Sequence, residues 1–136
     1  MVGFERPVFV RGCSMELSTF AVVHARGEGF GDPLIHCHAG KQLVLTFVAR
    51  EALEDYFRVP GEARITLNQW NLVVDRNLDR FKRIIQAKYE SDDWQVHNAY
   101  GQNYTRLLVT LEDMQRSGEQ FTIEVLNLDA TFRPRP

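Results

Sequence analysis

Cysteine occurs only twice in this 136-residue sequence, at Cys13 and Cys37. That density excludes a disulfide scaffold, and the lack of a CxxC pair removes the paired-thiolate metal and redox signatures. The economical expectation is two free thiols in a reducing cytoplasm, with a single Cys13–Cys37 bridge as the other arrangement. Long apolar runs are also missing, so no segment is expected to span a membrane. The opening MVGFERPVFVRG sets Glu5, Arg6 and Pro7 where a signal peptide needs unbroken apolar sequence. The chain is therefore expected to be soluble and unexported. No excess of one charge sign exists either. The formal net charge is -2, so a global positive field that would recruit nucleic acid is excluded, although a local basic face is not. GxSxG, P-loop and HExxH patterns are absent. The three glycines of GEGFGDP (27–33) lead into Pro33 and LIHCH rather than into a helix. This segment reads as a loop and not as a phosphate cradle. There is no internal repeat and no low-complexity tract.

What is present is the material of one ordinary domain. Hydrophobic residues make up 44% and charged residues 25%, with nine phenylalanines, four tyrosines and two tryptophans to fill a core. ELSTFAVVHA (16–25) is β-branched and apolar enough for a strand. KQLVLTFVAR (41–50) alternates, with Leu43, Leu45 and Phe47 to one side and Gln42 and Thr46 to the other. Ala39-Gly40 reads as the turn that joins it to 34–38 in a hairpin. EALEDYF (51–57) then changes to helical spacing, and Pro60-Gly61 stops it. Its Glu51, Glu54 and Asp55 read as a solubilising face.

The strongest signal starts at Ile65. Thr66 can cap a helix and Gln69, three residues on, can return the bond, while Ile65 and Trp70 occupy the two positions of a hydrophobic staple. Leu67, Trp70, Val73, Val74, Leu78, Phe81, Ile84 and Ile85 recur in three- and four-residue steps. The spacing predicts one continuous helix to about Tyr89, with each buried side chain worth roughly 1.5–3 kcal/mol. ESDDWQVHNAYGQNY (90–104) has no sustained period and reads as a polar, aromatic loop. TRLLVTLED (105–113) and QFTIEVLNLD (120–129) read as two strands, with Ser117-Gly118 suited to a hairpin turn between them. The expectation is a single α+β domain over 1–136: a mainly antiparallel sheet with one long and one short helix packed on one face. It comprises an extended segment 1–40, a core of helices and strands 41–129, and a loose, proline-bearing tail 130–136.

VLTFVAREALEDYF, a long helix ending IIQAKY and a closing segment with LEDM together resemble the small bacterial DUF1488 domain over residues 41–114. The resemblance implies an α+β fold, with a strand running into an "eALedhf"-like helix, a second helix with a basic "A-x-K-Y"-like end, and a final strand. It also implies a bacterial origin. It supplies no catalytic residue, and it does not account for the first forty residues or the last strand.

Three groups of residues are candidates for function. On a strand, His36 and His38 share one side and Cys37 takes the other. Two imidazoles so placed can hold Zn²⁺ or a similar ion if a third ligand converges. His24 is the natural third, with Asp32 and His97 as weaker choices. The spacing matches none of the strong zinc signatures, and two half-exposed surface histidines is the plainer reading. Cys37 or Cys13 paired with a histidine as a nucleophile lacks any group to orient the base. Arg76, Arg80 and Arg83 form a stripe on the outer face of the long helix, flanked by Lys82 and Lys88. Such a row can neutralise phosphates or another anionic partner. Asp75 and Asp79 dilute it, and Asp79 is spaced for ion pairs with Lys82 and Arg83. Trp94, His97, Tyr100 and Tyr104 bring aromatics among Asn, Gln and Asp, the composition that contact surfaces use. The expected function is a cytoplasmic interaction or regulatory module and not an enzyme. It would need no cofactor and would bind a protein partner or itself through a sheet edge or the 92–104 segment. Nucleic-acid association through the arginines and metal binding through the histidines are the alternatives.

Overall fold

A computed structural model describes residues 16–24, 31–61, 63–99 and 101–127. Five strands, β1 (Ser18–Val22), β2 (Leu34–Ala39), β3 (Gln42–Val48), β4 (Gln95–Ala99) and β5 (Gln102–Val109), form one sheet. Its order is β1-β2-β3-β5-β4. Every neighbouring pair is antiparallel except β3 and β5, which run parallel. Four helices, α1 (Arg50–Phe57), α2 (Leu67–Arg76), α3 (Leu78–Glu90) and α4 (Leu111–Arg116), complete the fold with a short 3₁₀ turn at Glu124–Leu126. The α+β class and the mainly antiparallel sheet are those the sequence implies. Among the described residues, no helix is long and apolar enough to cross a membrane.

The β2–β3 hairpin forms as expected. Gly40 takes φ 61°, the left-handed value that a two-residue hairpin loop needs and that glycine adopts without strain. The alternation along β3 is also real, but its inward side is Val44, Thr46 and Val48. Ile35 and Cys37 from β2 and Leu107 and Val109 from β5 share that side. The apolar members of this side pack in one core with Leu53, Trp70, Val73, Val74, Phe81 and Ile85 of the helices. Leu43, Leu45 and Phe47 lie on the opposite, half-exposed side.

The Thr66 start signal is fully realised. The Thr66 hydroxyl accepts from the Gln69 amide at 3.2 Å, and the Gln69 side chain accepts from the Thr66 amide at 2.8 Å. Ile65 and Trp70 are both buried at the staple positions. The helix does not continue unbroken to Tyr89, however. It stops at Arg76 and restarts at Leu78, because the intervening Asn77 sits at φ -103° and ψ 17°. The buried amide of Asn77 donates to the Val73 carbonyl at 2.7 Å and to the Thr122 carbonyl at 2.8 Å, and it accepts from the Thr122 amide at 2.9 Å. A side chain that takes up backbone groups in this way competes with the helix ladder. The apolar stripe still runs through the break, and Trp70, Val73, Val74, Phe81 and Ile85 are all buried.

Three other expectations are corrected. Residues 95–99 and 102–109 form the antiparallel pair β4 and β5 rather than a loop followed by a strand, with Gly101 at φ 77° before β5. LEDMQR is the helix α4, opened by a second capping box in which the Thr110 hydroxyl accepts from the Asp113 amide and Asp113 returns the bond. Ser117-Gly118 therefore ends a helix instead of joining two strands. Residues 120–127 form no strand, because both backbone groups of Thr122 bond to the Asn77 side chain. Phe121 packs on Phe81 at 4.9 Å and on Tyr56 at 5.2 Å between ring centroids. The last two residues of the expected strand lie outside the described residues.

Replacing Asn77 with Leu removes three hydrogen bonds and leaves both Thr122 backbone groups unpaired. The expected loss is about 2–4 kcal/mol of unfolding free energy, read from urea denaturation. Asn68→Ala on the exposed side of α2 should change stability by less than about 0.5 kcal/mol.

Candidate interaction surface

The histidines come first in the chain. His36 and His38 share one side of β2, with ring centroids 6.2 Å apart. His38 Nδ1 lies 2.6 Å from the Thr19 hydroxyl across to β1. Thr19 takes φ 56°, unusual for a β-branched residue, at the point where the β1–β2 register shifts. Ala21 stands opposite His36. His24, three residues further and past the end of β1, falls out of step with that side and is exposed. Asp32 is engaged elsewhere: its Oδ1 accepts from the Arg50 amide at 2.8 Å, at the start of α1. Among the described residues, no three His, Cys, Asp or Glu side chains gather as a metal-holding group. Cys37 is a free thiol buried on the helix side, and burial pushes its pKa up to about 12. Cys13 lies outside the described residues.

The arginine row is divided by the break at Asn77. Arg76 belongs to α2, while Arg80, Lys82 and Arg83 belong to α3. Arg83 donates to both carboxylate oxygens of Glu119, at 2.7 and 2.8 Å. That hydrogen bonding, reinforced by the charges of Arg83 and Arg80, holds the Glu119 carboxyl below its ordinary value despite some desolvation. Lys82 lies 3.7 Å from Asp79 and over the Phe20 ring. Lys88 is withdrawn from the surface. Its side chain is only 11% exposed, and its ammonium contacts Asp93 at 2.7 Å and Asp113 at 2.9 Å. Desolvation alone would lower its pKa, but these two carboxylates outweigh it and the net shift is upward. Arg83, Lys82 and Lys88 are thus matched by carboxylates within the molecule.

The 92–104 group separates into two parts. Trp94 is buried. Its ring stacks on Tyr89 at 5.6 Å and its Nε1 donates to the Tyr89 carbonyl at 3.2 Å. It anchors the end of α3 and offers little contact surface. His97 and Tyr104 are cross-strand partners, stacked at 5.9 Å on the half-exposed side of the sheet. Tyr100 lies outside the described residues.

His97 and Tyr104 extend a wider face on the side away from the helices. Leu34, Phe47 and Leu108 form one row across β2, β3 and β5, and His36, Leu45 and Arg106 form the next. His38 and Leu43 continue toward Tyr104 in the same register. Leu108 is 46% exposed. The Arg106 guanidinium lies 4.8 Å above the centre of the Phe47 ring. No aspartate or glutamate occurs in any of the five strands, and Arg106 is their only permanent cation. Sequence reasoning missed Arg106 and Leu108. The signal was available in the alternation of TRLLV, whose Thr105, Leu107 and Val109 go inward. No protein-family model matches the chain, and no curated protein or solved structure does either.

Two outcomes are expected. In the folded chain at pH 8, iodoacetamide should leave the Cys37 peptide unlabelled, whereas denaturant exposes it; peptide mapping by mass spectrometry separates it from Cys13. Glu119 has a lower pKa folded than unfolded, so its contribution to stability is complete above the ordinary glutamate value of about 4.3 and disappears as pH falls through the folded value. The urea midpoint of Glu119→Gln should therefore fall less than that of the parent chain on acidification from pH 5.

Proposed function

We propose that this chain is a small, non-catalytic interaction module that docks a protein partner on the face of its sheet opposite the described helices. The observation that carries the reading is the exposed Leu108 set among Phe47, Leu45, Tyr104 and Arg106, on a face without a single carboxylate in its strands. Aromatic side chains and arginine are enriched at the centres of protein interfaces, where truncation costs most. Arg106 already rests over the Phe47 ring, and a side chain with such a contact loses less entropy when a partner engages it. The partner this chemistry fits offers an apolar patch with one carboxylate for Arg106 and hydrogen-bonding groups for His36, His38 and His97. The arginine row is less suited to an anionic partner, because Arg83 and Lys82 have internal carboxylates.

A photo-crosslinking residue at position 108 tests the reading. It should capture a specific protein in cells, and the same residue at the exposed α4 position 116 should not. Tyr104→Glu should abolish capture from position 108 while the circular dichroism of the chain stays unchanged. Equal capture from positions 108 and 116, or capture insensitive to Tyr104→Glu, would falsify it.

A further inference from the structure

The hydrogen bonds around Thr19 fix which ring nitrogen of His38 carries the proton. The Thr19 hydroxyl lies 2.6 Å from the Ser18 carbonyl and 2.6 Å from His38 Nδ1. It has one proton to give, and a carbonyl can only accept. The proton therefore goes to Ser18, and His38 Nδ1–H donates to the Thr19 oxygen. In a neutral imidazole this leaves the lone pair on Nε2. Regular alternation would not put the Thr19 hydroxyl here. Ser18 is the residue opposite His38, so its successor belongs on the other side of the sheet. The register shift after Ser18 and the φ of 56° at Thr19 turn the hydroxyl back onto His38. Irregular strand geometry of this kind re-aims side chains, and strained backbone gathers at functional sites.

We infer that His36 and His38 hold a divalent late transition-metal ion, of the nickel, copper and zinc group, with Thr19 as the positioning residue for His38. Histidine that binds a metal through one ring nitrogen nearly always donates the N–H of the other to a fixed partner, and His38 has that pattern. His36 supplies the second imidazole. It stands two residues away on the same side of β2, with the ring centroids 6.2 Å apart and both side chains half-buried. Two ring nitrogens bonded to one ion at about 2.0–2.1 Å place the ring centres roughly 5 Å apart, so the pair must close by about 1 Å. Rotation of His36 provides this, since no hydrogen bond among the described residues fixes its ring. Imidazole suits these ions, whereas magnesium and calcium prefer oxygen. Cys37, between the two, is buried on the other side of the strand and takes no part. Ala21 and Leu45 stand beside His36, and Ser18 and Leu43 beside His38, so no charge adjoins the pair in the sheet. Arg106 lies two strands away in the row of His36, roughly 10 Å, where salt screens its repulsion. Two imidazoles do not close a coordination sphere, so water fills the remaining positions and the ion is exchangeable rather than structural. The inference goes beyond the docking face proposed above and does not depend on it, since it needs only β1 and β2.

Isothermal titration calorimetry of the untagged full chain with nickel chloride at pH 8 tests the site, in a Cys13→Ser background that removes the other thiol. This parent should bind one nickel ion per chain. His36→Gln and His38→Gln should each abolish the binding with circular dichroism unchanged, while His24→Gln and His97→Gln should leave it as it is. Thr19→Val should weaken the affinity by about 10- to 100-fold, the usual effect of removing the partner that orients a ligand, and Thr19→Ser should restore it. A parent that takes up no nickel overturns the inference. So do equal losses from all four histidine substitutions, or binding that survives His36→Gln or His38→Gln. A Thr19→Val chain that binds like the parent, or a Thr19→Ser chain as weak as Thr19→Val, overturns it as well.

Discussion

Parallel strands cannot be joined by a tight turn, and here the central pair, β3 and β5, runs parallel. The chain leaving Val48 must travel back past the sheet before it can re-enter alongside β3. It does so through α1, α2 and α3, and then lays down β4 on the far side of β5. This one constraint sets most of the remaining architecture. The crossover covers one face of the sheet, because its apolar stripe is buried only there. The other face receives none of these helices, and β4, laid down before β5 takes the place beside β3, is left at the edge.

Asn77 reconciles the crossover with the C-terminal segment. A continuous apolar helix from Leu67 to Glu90 would have been available to this sequence on periodicity alone. The Asn77 side chain instead presents an amide donor and acceptor to both backbone groups of Thr122, as a neighbouring strand would. That pairing seats Phe121 against Phe81 and Tyr56, and brings Glu119 to Arg83. A buried amide fully paired in this way specifies one arrangement, since any other leaves polar groups without partners.

The parts legible in the sequence were those with local causes. The Thr66–Gln69 box, the Ile65–Trp70 staple and the Gly40 hairpin each depend on residues a few positions apart, and each formed. Thr110 and Asp113 carry the same kind of local signal, but it was obscured by the β-branched run before it and read as strand. Periodicity in β3 gave two faces without saying which was inner, because Val44 and Val48 are as apolar as Leu43 and Leu45. The decision came from β5, whose Thr105, Leu107 and Val109 fit the same side. QVHNA looked like a loop because an edge strand with both faces partly wet loses the apolar alternation that marks half-buried strands. QFTIEVLNLD looked like a strand because its β-branched residues are intrinsically suited to one. A tertiary contact from Asn77, forty-five residues away, overrode that preference. The face opposite the described helices was the least legible feature, since its members come from four strands whose order is not their order in the chain.

Charge is distributed in a way that separates the two faces of the molecule. On the helical flank, several cations are committed to internal carboxylates: Arg83 to Glu119, Lys88 to Asp93 and Asp113, Arg50 to Glu54. Several of these pairs tie one element to the next, with Lys88 linking the end of α3 to the start of α4. Isolated surface ion pairs are worth little, but pairs that fix segments distant in sequence select one docking arrangement. The strands carry no acid and a single arginine, and that arginine rests on an aromatic ring. A face held together by hydrogen-bonded backbone needs no charges for its own stability. On this face His97 and Tyr104 stack on one another and Arg106 rests on Phe47, contacts that stay within the sheet, whereas Trp94 and Arg83 tie separate elements together, and that difference is the physical ground of the proposal that a partner is met on the sheet.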